Sequence, residues 1–368
     1  MSIIAPAGPT WLSGFDVAAT YLPVHPGSGL SGPGKSGGDR VRRLCRWAGG
    51  TRGLTGRLVR AAEQNRVGEQ AGHGPLAFSG MSAFRNSPNI LFETTVTATR
   101  RLSPGFVRVT LGDGRLRDLA PYQLDQRIKI MLPVTGDYPA GLRAGLPEQG
   151  WRHEWRSVPD RERPWLRSYT AYRTRPAAGE LDLDFYLHQP HGPASCWAVA
   201  ARPGDRLLLS GPHIRAGQPG YGVQWAPGPA TRVLIAADET AYPAVRGILP
   251  SLAPGVRATI LLEAGAAADA ATLDDVTAGH SVEVRLRGAA RGGTVLTAMV
   301  GDWLAEHGPA AAGAGSRFYA WIATESSKIA HVRRLFTEAH ISPEQVHTQG
   351  YWHDRPVRDE AVNEGTLT

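Results

Sequence analysis

RSYTAYR, residues 167–173, is the stretch from which the rest of the chain can be read. On a strand, Arg167 and Tyr169 share one face while Ser168 and Thr170 share the other. That set is open to two readings. Tyr169 can pack in a core beside a solvated Arg167, or the strand can clamp a phosphate and stack on a flat ring. Outward in both directions the pattern stays β. ILFETTVTATRRL, GFVRVTLG, QRIKIMLP, LRSYTAY, LDLDFYLH and DRLLLSG alternate or run apolar between Asn89 and about Gly211, with Gly, Pro or Asp between them. Short strands joined by turns predict an antiparallel β-barrel of six strands. Residues 134–165 interrupt it with a polar insertion, of a length that is usually functional or mobile.

Beyond the Pro/Gly cluster AGQPGYGVQWAPGPA at 216–230 the pattern changes. TRVLIAAD, VRATILLEAG, SVEVRLRG and RFYAWIA read as strands; ETAYPAVRGILPSL, TVLTAMVGDWLAEH and ESSKIAHVRRLFTEAH read as helices. The last of these carries Ile329, Val332, Leu335, Phe336 and Ala339 on one side. Strands alternating with helices predict a parallel sheet covered on both faces. The fold class is therefore β plus α/β: a barrel over 81–228, then an α/β domain over 229–352.

Composition bounds what this architecture can do. At 368 residues and 42% hydrophobic, the chain exceeds the ~250 to 300 residues at which single cores stop growing. A net charge of +7 would ordinarily point to nucleic acid or an anionic membrane. Residues 1–80, however, hold nine Lys/Arg against four Asp/Glu, which leaves 31 against 29 for the remainder. A nearly neutral folded part argues against a nucleic-acid partner. The same 80 residues carry 16 of the 44 glycines and little periodicity, so they are expected to be a disordered leader. Clean patterning opens at Met81, which is either the natural start or the point where a genuine flexible tail ends. Nothing resembles a secretory signal or the ~20 apolar residues of a membrane span. Two cysteines, Cys45 and Cys196, and twelve scattered histidines argue against a disulfide scaffold or a metal site, and for a reduced, cytoplasmic setting. Residues 353–368 are polar and expected to be a flexible tail.

A second stretch, HGPASCWAVAARPGD from His191, gives the RSYTAYR strand a context. Gly192, Pro193 and Ala194 turn the chain into a helix at Ser195, and such a helix start offers backbone N–H groups to an anion. Phosphate-binding turn and ring-stacking strand, about 20 residues apart, together suit a flavin dinucleotide.

At this point the chain resembles a known family, the siderophore-interacting proteins, which are FAD-dependent ferric-siderophore reductases of the ferredoxin-reductase superfamily. The resemblance rests on DQRIKIMLP (125–133), RSYTAYR, HGPASCWA, GDRLLLSGP (204–212), AADETAYPAV (236–245), WIATESSKIAHVRRLF (321–336) and GYW (350–352). It implies that the barrel binds FAD and that the α/β domain resembles an NAD(P)H-binding one. Arg167 would meet the FAD phosphates or ribityl chain, Tyr169 would lie on the isoalloxazine, and Thr170 would reach its N5, with Ser168 on the same strand. Gly192, Ala194 and Ser195 would hold the pyrophosphate, with His188 beside them. Asp238, Glu239 and Thr240 would stand where the first parallel strand turns into its helix, where open α/β sheets bind ligands, although no GxGxxG fingerprint is present. NADPH or NADH would supply electrons, the flavin would pass them singly to Fe(III), and the loosened chelate would release Fe(II). A ferredoxin is an alternative donor. No catalytic side chain or resident metal is required, and a monomer is expected.

Lysine is scarce: beyond the leader only Lys129 and Lys328 occur. With Arg333 they are the candidate anchor for an anionic ferric siderophore; each can also be a solvated surface cation. Three departures from the family pattern bear on the electron donor: Thr324 in place of the usual Gly, Ala330 in place of a frequent Arg, and Ala237 in place of Gly. Thr324 would either narrow the nicotinamide approach or cap the following helix. Tyr351 and Trp352 read either as an aromatic lid over the flavin or as packing on the sheet. Two alternative functions remain open: a reductase of the same fold with free flavin or another acceptor, and a non-enzymatic siderophore-binding protein.

Overall fold

The computed structural model describes residues 87–134 and 136–354, so the expectations for the leader, for Met81 and for the tail from residue 355 lie outside the described residues. Seven antiparallel strands form the first sheet: β1 (Asn89–Arg101), β2 (Phe106–Gly112), β3 (Arg127–Leu132), β4 (Trp165–Thr170), β5 (Arg173–Arg175), β6 (Glu180–Tyr186) and β7 (Arg206–Pro212). Their order is β4-β3-β7-β1-β2-β6-β5. The expected count was six. The seventh arises because the RSYTAYR stretch breaks after Thr170 and resumes at Arg173 as a separate edge strand. β4 and β5 are thus the two edges of a curled sheet, and no ladder of hydrogen bonds closes it between them.

The sheet curls around Phe92, Val96, Val109, Leu111, Ile128, Ile130, Leu183 and Phe185, contributed by strands from both ends of the order. Runs such as ILF, IML and LLL are apolar at consecutive positions because the outer face is covered as well. Its cover is the polar insertion, which carries helix α1 (Glu148–Ser157). Trp151 of α1 is fully buried against Leu91, Met131 and Leu208, and its indole N–H donates to Ser210 Oγ at 3.0 Å. Tyr138 adds a hydrogen bond from its hydroxyl to the Met131 carbonyl at 2.6 Å. The insertion is therefore an ordered outer layer rather than an open loop.

After α2 (Pro193–Ala200) and β7 the chain builds a parallel sheet from β8 (Arg232–Ala237), β9 (Arg257–Ala264), β10 (Ser281–Leu286), β11 (Phe318–Glu325) and β12 (Val346–Trp352), in the order β10-β9-β8-β11-β12. The helices are α3 (Tyr242–Ile248), α4 (Ala267–Ala270), α5 (Asp274–Thr277), α6 (Thr294–Ala314) and α7 (Ile329–Glu338). The inner strands are buried on both faces, as parallel sheets require. One face packs on α3 through Tyr242, Val245 and Ile248, the other on α6 and α7 through Leu296, Val300, Val332 and Phe336. α6 runs past Gly308 and Pro309, where the sequence pattern ends, because Ala311 still packs on the core.

Removal of the α1 anchor should read out as stability. Trp151→Ala empties a fully buried indole site and orphans Ser210, so urea unfolding should show a loss of ~3 to 5 kcal/mol. A loss below ~1 kcal/mol would show that the insertion does not cover the barrel.

Candidate functional site

The two sheets meet through a few buried polar anchors, and these shape the crevice between them. Asp125, just before β3, is buried; its Oδ1 accepts from the backbone N–H of Gln224 (2.9 Å) and Trp225 (3.1 Å), and its Oδ2 from the Trp321 indole of β11 (3.0 Å). Asp269 of α4 accepts from Ser103 Oγ (2.5 Å) and the Gly105 N–H (2.8 Å) at the β1–β2 turn. Phe106 of β2 lies in the core of the α/β half, stacked on Tyr242 at 5.8 Å. Gly247 permits a close approach of backbone: a Cβ there would lie 2.4 Å from the Leu124 carbonyl oxygen.

On the barrel side, the open seam between β4 and β5 is bridged by aromatic rings. Tyr169 of β4 packs on Phe185 of β6 at 4.5 Å between centroids, and Phe185 on Trp197 of α2 at 5.6 Å. Burial pushes the Tyr169 phenol above its usual range. Arg167 is exposed, lies 5.4 Å from the Trp165 ring centroid and donates to the Leu166 carbonyl. Ser168 points to the other face and accepts from Lys129 Nζ at 2.6 Å. α2 starts at Gly192 without a side-chain cap, with Pro193 in its first turn. The buried Ser195 hydroxyl donates to the Tyr186 carbonyl at 3.3 Å, while the helix start keeps backbone donors uncapped by any side chain. His188 packs against Gly192: a Cβ there would lie 3.2 Å from the imidazole. The exposed arginine, half-buried ring and uncapped helix start fit a flavin dinucleotide.

On the α/β side, the carboxyl ends of β8, β9 and β11 carry buried acids. Asp238 accepts from the Thr240 N–H (3.0 Å) and hydroxyl (2.5 Å), and from the Trp352 indole (2.9 Å). Burial outweighs these bonds and pushes its pKa up to about 6. Glu239 is held by Arg287 at 2.7 and 2.8 Å and accepts from the Tyr186 hydroxyl at 2.9 Å. Arg287 also reaches the Tyr186 oxygen and Glu263, so one guanidinium gathers β6, β8 and β9. Glu263 in turn caps α6, accepting from the Gly293 and Leu296 N–H groups at 2.9 and 2.8 Å. Burial and the neighbouring Glu239 push the Tyr186 phenol upward.

Of the two readings of the aromatic end, packing on the sheet is the one the structure describes. Tyr351 packs edge-on against Trp321 at 6.1 Å and lies near Thr170 of the barrel, while Trp352 holds Asp238. Gly293, at φ +75°, lets the loop before α6 lie on Thr324 and Lys328; a Cβ would sit 2.5 Å from Thr324 Oγ1. Thr324 is fully buried there and does not cap the next turn; Glu325 does, accepting from the Ser327 N–H at 2.7 Å.

The three candidate anchor cations fare differently. Lys129 is half-buried beside β4, and burial, then Arg127 and Arg152, hold its ammonium below the usual pKa. Lys328 stands at the start of α7 against the Gly293 loop. Arg333 is committed to β12, donating to Thr348 Oγ1 at 2.7 Å and to its carbonyl at 3.3 Å. Among the described residues no hydrogen bond joins any two of the three.

Two family models match this chain: residues 95–216 match a siderophore-interacting FAD-binding domain, and residues 230–355 a siderophore-interacting protein. The chain belongs to the siderophore-interacting protein family. An uncharacterized protein of Mycobacterium tuberculosis is 34% identical over 191 residues, 51% of this chain and 62% of that protein. The chain thus spans less than two thirds of that relative's length. The NADPH-dependent ferric-chelate reductase of Escherichia coli is 27% identical over 277 residues, covering 71% of this chain and 92% of the enzyme. A siderophore utilization protein from T. fusca superposes with a TM-score of 0.54 at 25% identity, over 73% of this chain and 95% of that one.

The sequence reading placed Arg167, Tyr169, Gly192 and Ser195 around the seam, and Asp238, Glu239 and Thr240 in the crevice. It missed Asp125, Tyr186, Glu263, Asp269 and Arg287. Asp125 lay inside a quoted motif, but its three donors come from residues about 100 and 196 positions away. Arg287 follows a strand like any solvated arginine, and only the buried Glu239 and Glu263 beside it give it a role.

Asp238 makes the site pH-sensitive. Its folded pKa is raised from 3.8 to about 6, so the stability it contributes is fully present below pH ~4 and is lost as pH rises through about 6. Asp238→Asn should remove this loss. The unfolding free energy of the native protein relative to the variant should fall by ~3 kcal/mol between pH 4 and 7 in denaturant titrations. A pH-independent difference would show that the carboxyl titrates normally.

Proposed function

We propose that the protein is a flavin-dependent ferric-siderophore reductase that draws electrons from NADPH. One observation carries the reading: the open β4/β5 seam, bearing Arg167 and Tyr169, faces an uncapped helix start at Gly192 and adjoins a crevice closed by Asp238 and Trp352. FAD bound there would supply the step between a two-electron hydride donor and a one-electron metal acceptor. Arg167 would neutralise a phosphate, Tyr169 would support one ring face, and the Ala194 and Ser195 N–H groups would meet the pyrophosphate. Gly192 lets His188 pack against the helix start, and Thr170, near Tyr351, would lie at the ring edge.

The donor site has a different character. The turn after β8 and the start of α6 are partly capped by Asp238 and Glu263, so both offer fewer donors to a second pyrophosphate than the start of α2. A dinucleotide would instead rely on side-chain cations at the rim of the crevice, Arg291 and Lys328. Its electron donor is read as NADPH because the E. coli reductase bears that name. The substrate iron arrives chelated; among the described residues no cluster of His, Cys, Asp or Glu could hold a metal ion.

The cations around Lys129 support an anionic ferric chelate as acceptor. Arg127 and Arg152 lie close enough to disfavour its charge; Glu148, paired with Arg152, offsets part of this, and a polyanion arriving there still meets a net positive surface. Ferric chelates bind here and accept electrons singly, and the weaker Fe(II) complex departs.

The test is anaerobic. Protein loaded with FAD should bleach on addition of NADPH and regain its colour on addition of a ferric siderophore, with Fe(II) captured by a chelator. Lys129→Gln should raise KM for the ferric siderophore by about tenfold and leave NADPH-driven bleaching unchanged. Failure to bind FAD, or reoxidation by oxygen alone, would sink the reading.

A further inference from the structure

β10 is an edge strand of the parallel sheet, paired with β9 in unbroken register from Ser281 to Leu286 and with nothing on its other side among the described residues. Such edges are ordinarily blunted by proline, by a bulge or by brevity. The opposite edge, β12, carries a register shift beside Glu325, and β5 of the barrel has three residues. β10 has no proline and no bulge over its six residues; its one such device is charge, at Glu283 and Arg285. Moreover, Val282, Val284 and Leu286 are 41, 42 and 56% exposed on one of its faces. The other face presents Glu283 and Arg285, ion-paired to each other at 2.6 Å, with Arg285 also paired to Asp302 of α6 at 2.6 Å.

The strand is complementary to itself. In an antiparallel pair about a two-fold axis at Val284, Glu283 falls opposite Arg285 of the second copy, and Arg285 opposite its Glu283. Val282 falls opposite Leu286, and Val284 opposite its own copy. A shift by two residues in either direction breaks the charge match. The backbone is also disposed for it. The Arg287 N–H donates to Ala264 of β9 at 2.8 Å, which fixes Arg285 and Glu283 as the residues whose main chain faces β9. The main-chain groups of Val282, Val284 and Leu286 therefore point outward, and the two-fold pair would close about six hydrogen bonds across Val284.

We propose that the protein pairs with a second copy of itself through β10, joining two five-stranded sheets into one ten-stranded sheet. The occupant is another β10 because the strand's charges and apolar face match their own reversal. Formation of the pair covers the exposed Val282, Val284 and Leu286 of both copies. So short an interface falls below the ~1,200 Å² of standard protein pairs, so the dimer is concentration-dependent. It also displaces the expectation of a monomer. The proposal is independent of the reductase reading.

Sedimentation of the full chain over a concentration series tests it. The native protein should pass from monomer to dimer, and Val284→Lys, which places two ammonium groups at the axis, should raise the midpoint concentration at least tenfold. Glu283→Arg and Arg285→Glu should each be monomeric alone, since each sets like charges opposite one another. Mixed in equal amounts, these two variants should form a heterodimer, because every cross-strand pair is then matched. A native protein that stays monomeric throughout, as it would if another part of the same chain covered the edge, overturns the proposal. So does a dimer indifferent to these substitutions, or a mixture of the two charge variants that fails to associate.

Discussion

One buried carboxylate holds the two halves of this protein in register. Asp125 accepts hydrogen bonds from the linker at Gln224 and Trp225 and from Trp321 in the centre of the second sheet. A carboxylate taken out of water costs several kcal/mol unless donors replace its hydration, and here three do. The turn that presents it is strained: Gln123 and Leu124 both adopt positive φ, at 55° and 56°, without being glycine. Gln126 braces the turn by accepting from the Gln123 N–H and donating to the Ala120 carbonyl. The start of β3, the linker and β11 thus share a single point of attachment. Asp269 and Arg287 add further attachments between the halves.

Around that point the crevice is asymmetric in charge and in capping. Behind the α/β wall lie the buried Asp238, Glu239 and Glu263, satisfied by Thr240, Trp352, Arg287 and the first N–H groups of α6. The barrel wall has an uncapped helix start at Gly192 and an exposed Arg167. Anionic groups are therefore favoured on the barrel wall and resisted on the other, except where Arg291 and Lys328 reach the rim. This polarity accords with a tightly held flavin dinucleotide and a transient donor. Tyr186 and Arg287 link the walls through hydrogen-bonded side chains.

Much of the architecture was legible from period alone. Alternation marked the antiparallel strands, and apolar runs with intervening helical patterns marked the parallel ones. What the pattern could not show was non-local. The split of RSYTAYR into β4 and β5 depends on where the sheet ends, not on the residues themselves. The insertion looked like a loop because Trp151, Tyr138 and Leu142 are sparse among polar residues, yet they suffice to cover the outer face. Thr324 could be read as a cap or as narrowing the nicotinamide approach; the cap falls to Glu325, and Thr324 is buried under Gly293. Arg333 illustrates the converse: its place on the helix suggested a substrate cation, whereas the neighbouring strand supplies Thr348 as its partner.

The central claim is that the seam and the α2 start form one flavin site. A crystal structure of the protein with FAD tests it most directly. The account predicts the pyrophosphate within hydrogen-bond distance of the Ala194 and Ser195 N–H groups, the ring system against Tyr169, and Arg167 turned from Trp165 toward a phosphate. Flavin bound on the α/β wall, or pyrophosphate density away from the helix start at Gly192, would contradict it.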